Sequence, residues 1–314
     1  MKHWKYLPLK WLLAGIAHLP FWAIYALADF MFVLVYYIVR YRRKVVTKNL
    51  TESFPDKSAD EIKGIERQFY RHFADYILET IKLGHITDEQ MRRRITFEGI
   101  DIIDDFVAQG KSVAVYLSHC GNWEWVPSVT LWSRHQVNKD MVFAQVYRPL
   151  KNKWFDEYFL KLRSRFNSVS LPKATVFREL IRYRRDKMPV VTGFMSDQKP
   201  SRGDDQYITS FLNHPTAIIS GTETIARKLS MAVVYWDITK PSRGHYHITQ
   251  RVITDDASTC PELYITAQYA TLLEQTIINN PHIWLWTHKR WKKKLTLPNP
   301  SADEQQQTHS RHHS

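Results

Sequence analysis

Residues 112–125 read SVAVYLSHCGNWEW. The run 112–117 is almost wholly apolar, which fits a strand buried on both faces. Gly121 and Asn122 then permit a tight turn, and Asn122 is a good residue to cap the start of a helix. A buried strand that passes through a turn into a helix puts His119 at the strand's carboxyl end. In a parallel α/β sheet that end faces the ligand crevice.

The same alternation recurs outward from this stretch. VFAQVY (142–147), MPVVTGF (188–194) and VVYWDI (233–238) read as further buried strands. Helix-like stretches lie near 122–133, 152–166, 174–185 and 216–230. Strands alternating with helices imply an α/β domain with a largely parallel sheet flanked by helices. No internal repeat interrupts the pattern. Upstream, Ile62, Ile65, Phe69, Phe73 and Ile77 recur at helical spacing over 59–83. Ser58 with Glu61 reads as a capping box and Gly84 as the stop.

Residues 19–39, LPFWAIYALADFMFVLVYYIV, hold one charge, Asp29. About 20 mostly apolar residues suffice for a helix to cross a bilayer. No small-residue cleavage site follows, so the run reads as an anchor rather than a signal peptide. Arg40, Arg42, Arg43, Lys44 and Lys48 come next, and by the positive-inside tendency that flank is cytoplasmic. Lys2, Lys5 and Lys10 on the other flank weaken the orientation. A hairpin or a steeply tilted, half-inserted segment fits the same residues. Asp29 is costly in lipid, so it is expected against a protein surface or a polar cavity. The division expected is an anchor with its basic flank at 1–48, a catalytic domain at 49–297 and a disordered polar tail at 298–314.

His119 and Glu124 are five residues apart. On one continuous helix they would point about 140° apart at 3.6 residues per turn. They can meet only with His119 on the loop and Glu124 on the helix. Glu124 would then accept from one imidazole nitrogen and leave the other free as a general base. Such a pair activates an alcohol without a protein nucleophile. Taken alone, the spacing also fits a structural surface pair. Cys120 beside it admits a nucleophile reading, and so a lipid esterase. No HExxH and no second His at ligand spacing points to a metal.

The 314 residues are 44% hydrophobic, enough for a packed core, and carry a net charge of +13. A basic surface attracts anionic lipid, an acidic carrier protein or nucleic acid. The 11 Trp and 16 Tyr suit either a membrane interface or an aromatic core. Two cysteines, Cys120 and Cys260, give no disulfide framework.

At this point the residues become recognisable. YLSHCGNWEW resembles the first motif of the lipid A biosynthesis lauroyl/myristoyl acyltransferase family, a His followed after four residues by Asp or Glu. VYRPLKNKWFDEYFLKLRSRFN resembles the second, on Arg148, Pro149, Asn152, Arg163 and Arg165. TGFMSDQKP resembles the Asp-Gln segment, on Asp197 and Gln198. FLNHPTAIISGTETIARK is similar to the Phe-x-Gly-x-Pro segment and its helix, and PHIWLWTHKRWK to the C-terminal Trp-x-Trp-x-His-x-Arg-Trp signature. By order and spacing the resemblance covers roughly residues 5 to 293.

The resemblance implies a glycerol-3-phosphate acyltransferase-like α/β fold with an N-terminal membrane anchor helix. It implies transfer of an acyl chain from acyl carrier protein, or from coenzyme A, to a hydroxyl of a lipid A precursor. It implies a cell inner membrane protein facing the cytoplasm, with no cofactor and no metal in the chemistry. The acyl carrier protein, a lipid acceptor and an anionic membrane surface are the expected partners, and nucleic acid is not. His119 becomes the base and Glu124 its orienting carboxylate. Arg148, Asn152, Arg163, Asp197 and Gln198 become candidate substrate contacts. Arg148 follows a strand end, where a guanidinium can grip phosphate; a solvated arginine fits as well. Asp197 also follows a buried run, where it can anchor the Arg148 loop, touch the acceptor, or form a turn. Glu223 reads as structural or pocket-lining. The aromatic and basic residues from Trp284 to Trp291 suit a headgroup layer.

Two positions depart from the family. Asn167 stands where a Gly follows the arginine pair, a change that left-handed backbone tolerates. Asn213 replaces a Gly in FLNHP and can alter the acceptor pocket. No Pro-Glu-Gly-Thr-Arg string of glycerophospholipid acyltransferases is present. Glycerophospholipid or aminolipid acyl transfer, and a non-catalytic lipid-binding protein, are the competing readings.

Overall fold

A computed structural model describes residues 4–201, 207–292 and 295–297; the tail expected to be disordered, 298–314, lies outside the described residues. Five helices precede most of the sheet: α1 Leu7–His18, α2 Phe21–Val33, α3 Arg43–Ser53, α4 Ala59–Lys82 and α5 Asp88–Arg92. The apolar run at 19–39 forms one helix from Phe21, set off from α1 by a break at Leu19 and Pro20. Leu19 stands before Pro20 with extended backbone (φ −59°, ψ 146°), so α1 has to stop there. From Phe21 the helix continues to Ile38, its last turn in π geometry. That 18-residue stretch has the length and composition of a membrane span.

α4 begins as expected. The Ser58 hydroxyl accepts from the Glu61 amide, and the Glu61 carboxylate accepts from the Ser58 amide at 2.8 Å. Its buried face holds Ile62, Phe69 and Leu78, but also Glu66, His72, Asp75, Glu79 and Lys82. A helix that buries five ionisable side chains needs partners for them, and the N-terminal helices and the β-sheet supply most of these.

The rest alternates: β1 Ile95–Glu98, α6 Ile100–Ala108, β2 Val113–Leu117, β3 Val142–Tyr147, α7 Lys153–Arg163, β4 Val169–Pro172, α8 Val176–Arg185 and β5 Val190–Met195. Then come β6 Tyr207–Phe211, β7 His214–Ile218, α9 Gly221–Lys228, β8 Ala232–Ser242, β9 His245–Thr254 and α10 Tyr264–Asn279. The main sheet runs β1-β9-β8-β2-β5-β3-β4. β8, β2, β5, β3 and β4 are mutually parallel; β9 returns antiparallel to β8, with β1 alongside it. This is the mixed α/β architecture with a mostly parallel sheet that the alternation predicts.

The four strands read from the sequence are β2, β3, β5 and β8. The expected helix at 122–133 is a turn followed by a single 3-10 stretch, Val126–Leu131. Pro127 removes an amide donor there, and the Trp125 indole is drawn into the core onto the Glu79 carbonyl. Residues 216–218 belong to β7, so the helix expected from 216 starts only at Gly221. One apolar core runs from Ile24, Ala28, Phe32 and Tyr36 in the N-terminal helix through the sheet to Trp284 and Trp286. It is continuous across residue 48, the boundary drawn from composition.

Candidate active site

β2 is buried at every position, and two residues beyond its end stands His119. The next turn depends on Gly121. Its φ of +59° lies in the left-handed region, and a Cβ there would come 2.8 Å from the Ile238 side chain. The C-terminal segment braces this turn from outside. Gly121 donates its amide to Ile283, Leu285 donates to His119, and Cys120 pairs with Trp284 as an isolated bridge.

β5 lies next to β2, with Leu117 level with Met195. Asp197 is two residues beyond Met195 as His119 is two beyond Leu117. The register therefore brings them together. Asp197 Oδ1 is 2.7 Å from His119 Nδ1, and Oδ2 accepts the His119 amide at 3.0 Å and the Trp284 indole N–H at 2.9 Å. Burial alone would push the Asp197 carboxyl up. The facing imidazole and these hydrogen bonds outweigh it and hold the group at about 2. An ionised carboxylate only accepts, so Nδ1 carries the proton and Nε2 presents its lone pair. The Gln198 amide nitrogen lies 3.1 Å from that Nε2.

Glu124 has a different partner from the one its spacing predicts. Its carboxylate is buried and takes a two-pronged grip from Arg163, Nε to Oε2 at 2.8 Å and Nη2 to Oε1 at 2.6 Å. With no helix at 122–125 to turn Glu124 toward the imidazole, it points to α7 instead. The carboxylate on His119 is Asp197, which the sequence offers as a substrate contact, a loop anchor or a turn residue and not as the partner of the base. Burial pulls the Arg163 guanidinium down, and the Glu124 hydrogen bonds and charge more than restore it.

The Trp123 ring stands edge-on 5.0 Å from the His119 ring, and Tyr76 packs 4.1 Å behind it, so one wall beside the imidazole is aromatic. Asn122 does not cap a helix. Its Nδ2 donates to the buried Glu79 carboxylate at 2.9 Å, and the same oxygen accepts from Tyr246. The Cys120 thiol is fully buried, and burial pushes its pKa up. A thiol kept protonated there is a poor nucleophile.

The remaining candidates divide. Arg148 follows β3 directly and is exposed. Asn152 caps α7 through its side-chain oxygen and donates to the Tyr6 hydroxyl at 2.9 Å, so its role in the fold is structural. Arg165 donates to the Leu83 carbonyl. Glu223 is buried and accepts the amide and hydroxyl of Thr266. Asn167 adopts the left-handed backbone (φ 60°) that its substitution for Gly requires. Asn213 does likewise (φ 62°) in the turn joining β6 to β7, and its side chain donates to Ser53. The Trp-rich C-terminal signature is not a headgroup surface. Trp284, Trp286 and Arg290 are buried, and Arg290 donates to the Ala217 carbonyl at 2.7 Å. Among the described residues, no group of three His, Cys, Asp or Glu stands close enough to hold a metal ion.

Comparison with known proteins gives the chain a family. Residues 2–293 match the family described as bacterial lipid A biosynthesis acyltransferase. The chain is 24% identical over 257 residues to the lipid A biosynthesis palmitoleoyltransferase of Escherichia coli (strain K12), covering 81% of this chain and 79% of the relative. It has the same identity and coverage with the lipid A biosynthesis acyltransferase of Shigella flexneri.

Proposed function

This chain belongs to the bacterial lipid A biosynthesis acyltransferase family and is an acyltransferase, and we propose that it moves a fatty acyl chain from an acyl carrier protein or coenzyme A thioester to a hydroxyl of a lipid A precursor. The observation that carries the mechanism is the pairing of His119 Nδ1 with Asp197 at 2.7 Å, which leaves Nε2 as the base. The acceptor hydroxyl displaces the Gln198 amide and donates to Nε2. As its oxygen attacks the thioester carbonyl, Nε2 takes the proton, and the buried Asp197 carboxylate stabilises the imidazolium. Collapse of the tetrahedral adduct breaks the carbon–sulfur bond, and the imidazolium returns its proton to the departing thiolate. The ester and a free thiol result, and the base is restored.

Glu124 acts one step away. Its grip fixes the Arg163 guanidinium, while Arg148 and Lys151 in the loop after β3 and Lys153 at the start of α7 stand exposed. These cations suit the phosphates of a lipid A precursor. A lipid acceptor and the apolar helix at 21–38 support residence at the cell inner membrane, with the crevice in the cytoplasm where carrier protein thioesters are found. The test is the purified enzyme, acyl carrier protein thioester and detergent-solubilised lipid A precursor. His119→Ala is expected to abolish ester formation. Full activity in that variant, or membrane lipids whose masses do not change when the gene is removed, would overturn the reading.

A further inference from the structure

The helix at 21–38 buries Ile24, Ala28, Phe32 and Tyr36, a stripe four residues apart, against the rest of the protein. It is tied to the catalytic domain along its whole length. At its start, the buried Lys82 ammonium donates to the Ala17 and Leu19 carbonyls at 2.9 and 2.8 Å. In its middle, Asp29 pairs with Arg243 at 2.8 Å, and Arg243 also grips Asp75 of α4 at 2.7 Å. Tyr25 donates to Glu79, and its hydroxyl sits so close over Gly244 that a Cβ there would collide with it. Just past its end, Arg43 pairs with Glu66 at 2.9 Å, and Tyr70 donates to the Tyr41 carbonyl.

These ties conflict with a crossing. Eighteen residues at about 1.5 Å each make a helix of about 27 Å, nearly the full thickness of a bilayer's hydrocarbon. If this helix crossed, Asp75, Glu79 and Arg243, which its middle holds through Tyr25 and Asp29, would enter the lipid with it. Charges at that depth are strongly disfavoured.

The face opposite the stripe is apolar and open. Trp22 is 76% exposed and Phe30 69%, with Val33, Tyr37 and Ile38 beside them. α1 and the turn before it add Trp4, Leu7, Trp11 and Leu12. Residues 1–51 hold eight Lys or Arg and one acid, Asp29, whose charge Arg243 meets. An exposed apolar face with tryptophans, flanked by mostly basic residues, matches the interface of an anionic leaflet.

We infer that α1 and the helix at 21–38 lie in the plane of one leaflet, as an in-plane anchor held to the catalytic domain, and do not cross the membrane. The inference rests on the membrane residence proposed above. Its consequence is that both ends of the helix share the side that holds the active site. Tyr25, Glu79 and Asn122 then form a direct chain of contacts from the lipid-facing helix to the turn that carries His119.

The experiment uses the full chain with Cys260→Ser and either Lys5→Cys or Asp56→Cys, one position on each side of the helix. A membrane-impermeant maleimide is added to spheroplasts and to inside-out inner-membrane vesicles. Both cysteines are expected to react in inside-out vesicles and neither in spheroplasts. Reaction of Lys5→Cys in spheroplasts together with Asp56→Cys in inside-out vesicles would show a crossing and overturn the inference. Flotation separates the two claims. A chain that fails to float with phosphatidylglycerol vesicles defeats the membrane reading and this inference with it. A chain that floats but is labelled from opposite sides defeats only the in-plane arrangement.

Discussion

Trp284 donates its indole N–H to the same Asp197 oxygen that accepts the His119 amide, so a residue near the C-terminus holds the carboxylate that orients the base. Replacing Asp197 with Asn keeps the shape but removes the acceptor that fixes the Nδ1 tautomer. We expect Asp197→Asn to lower kcat by roughly 10²–10⁴-fold, the range general-base assistance commonly supplies, with KM little changed. Steady-state kinetics check this. A variant within twofold of wild-type kcat would show that the imidazole is oriented without Asp197.

The same contact has an acid limb. The folded-state pKa of Asp197 lies near 2, below the ordinary 3.8, so its ionised form is favoured by folding. That stability is present above about pH 4 and is lost as pH falls toward 2. A difference near two units corresponds to about 2 kcal/mol. Urea unfolding between pH 5 and 2 should show wild type losing about this much more stability than Asp197→Asn. Parallel curves for the two proteins would refute it.

The pair of Glu124 and Arg163 is expected to show its worth through imbalance. Arg163→Ala leaves a buried carboxylate without its cation, which costs about 3–5 kcal/mol in comparable sites. The double variant Glu124→Gln with Arg163→Met should recover much of that loss in chemical denaturation. Additive losses would mean that the two side chains are not energetically coupled.

His119 at a strand end was legible from residues 112–125, because a buried apolar run meeting a Gly-Asn turn is a local pattern. Its partner was not. Glu124 lies five residues away and drew the pairing, whereas Asp197 lies 78 residues away and meets His119 only because β5 settles beside β2 in a register that levels Leu117 with Met195. Strand order is a property of the packed sheet. A trace of it was present in the sequence: 112–117 and 188–194 each run on into a polar side chain at a similar offset. The Trp-x-Trp signature misled for a related reason. Indoles with nearby cations have the same composition at a headgroup layer as in a core, and only the packed structure, with Trp284 bridged to Cys120 and Trp286 and Arg290 buried, distinguishes the two. The edge strands β1 and β4 were missed because four-residue runs carry little periodicity, and β9, between β1 and β8, because its inward positions include the polar Gln250.

Gly121 and Gly110 make a matched comparison. Both have positive φ, +59° and +74°, but a Cβ at Gly110 meets nothing within 4 Å. Gly110→Ala should cost about 1–2 kcal/mol for left-handed backbone alone. Gly121→Ala adds the collision with Ile238, so it should cost more and should also lower activity by moving His119. Equal melting shifts in the two variants would show that the crevice turn yields without strain.

Cys120 is expected to be dispensable. Its buried, protonated thiol lies outside the proton path from acceptor to base. Cys120→Ser should retain most transfer activity in the thioester assay, with a lower melting temperature from the buried hydroxyl. Loss of transfer with the fold intact would restore the thiol to the mechanism.

The Lys82 contacts bear on how this enzyme can be handled. Shortening the chain to begin after residue 42, a common way to free a catalytic domain from its greasy end, would remove Ala17, Leu19, Tyr25 and Asp29 together. A buried ammonium would lose both its carbonyl acceptors, Glu79 would lose a donor, and the side of α4 that packs on the 21–38 helix would be stripped bare. Solubility gained by trimming would therefore come with a domain that no longer packs, and detergent around an uncut chain is the sounder route to a working preparation.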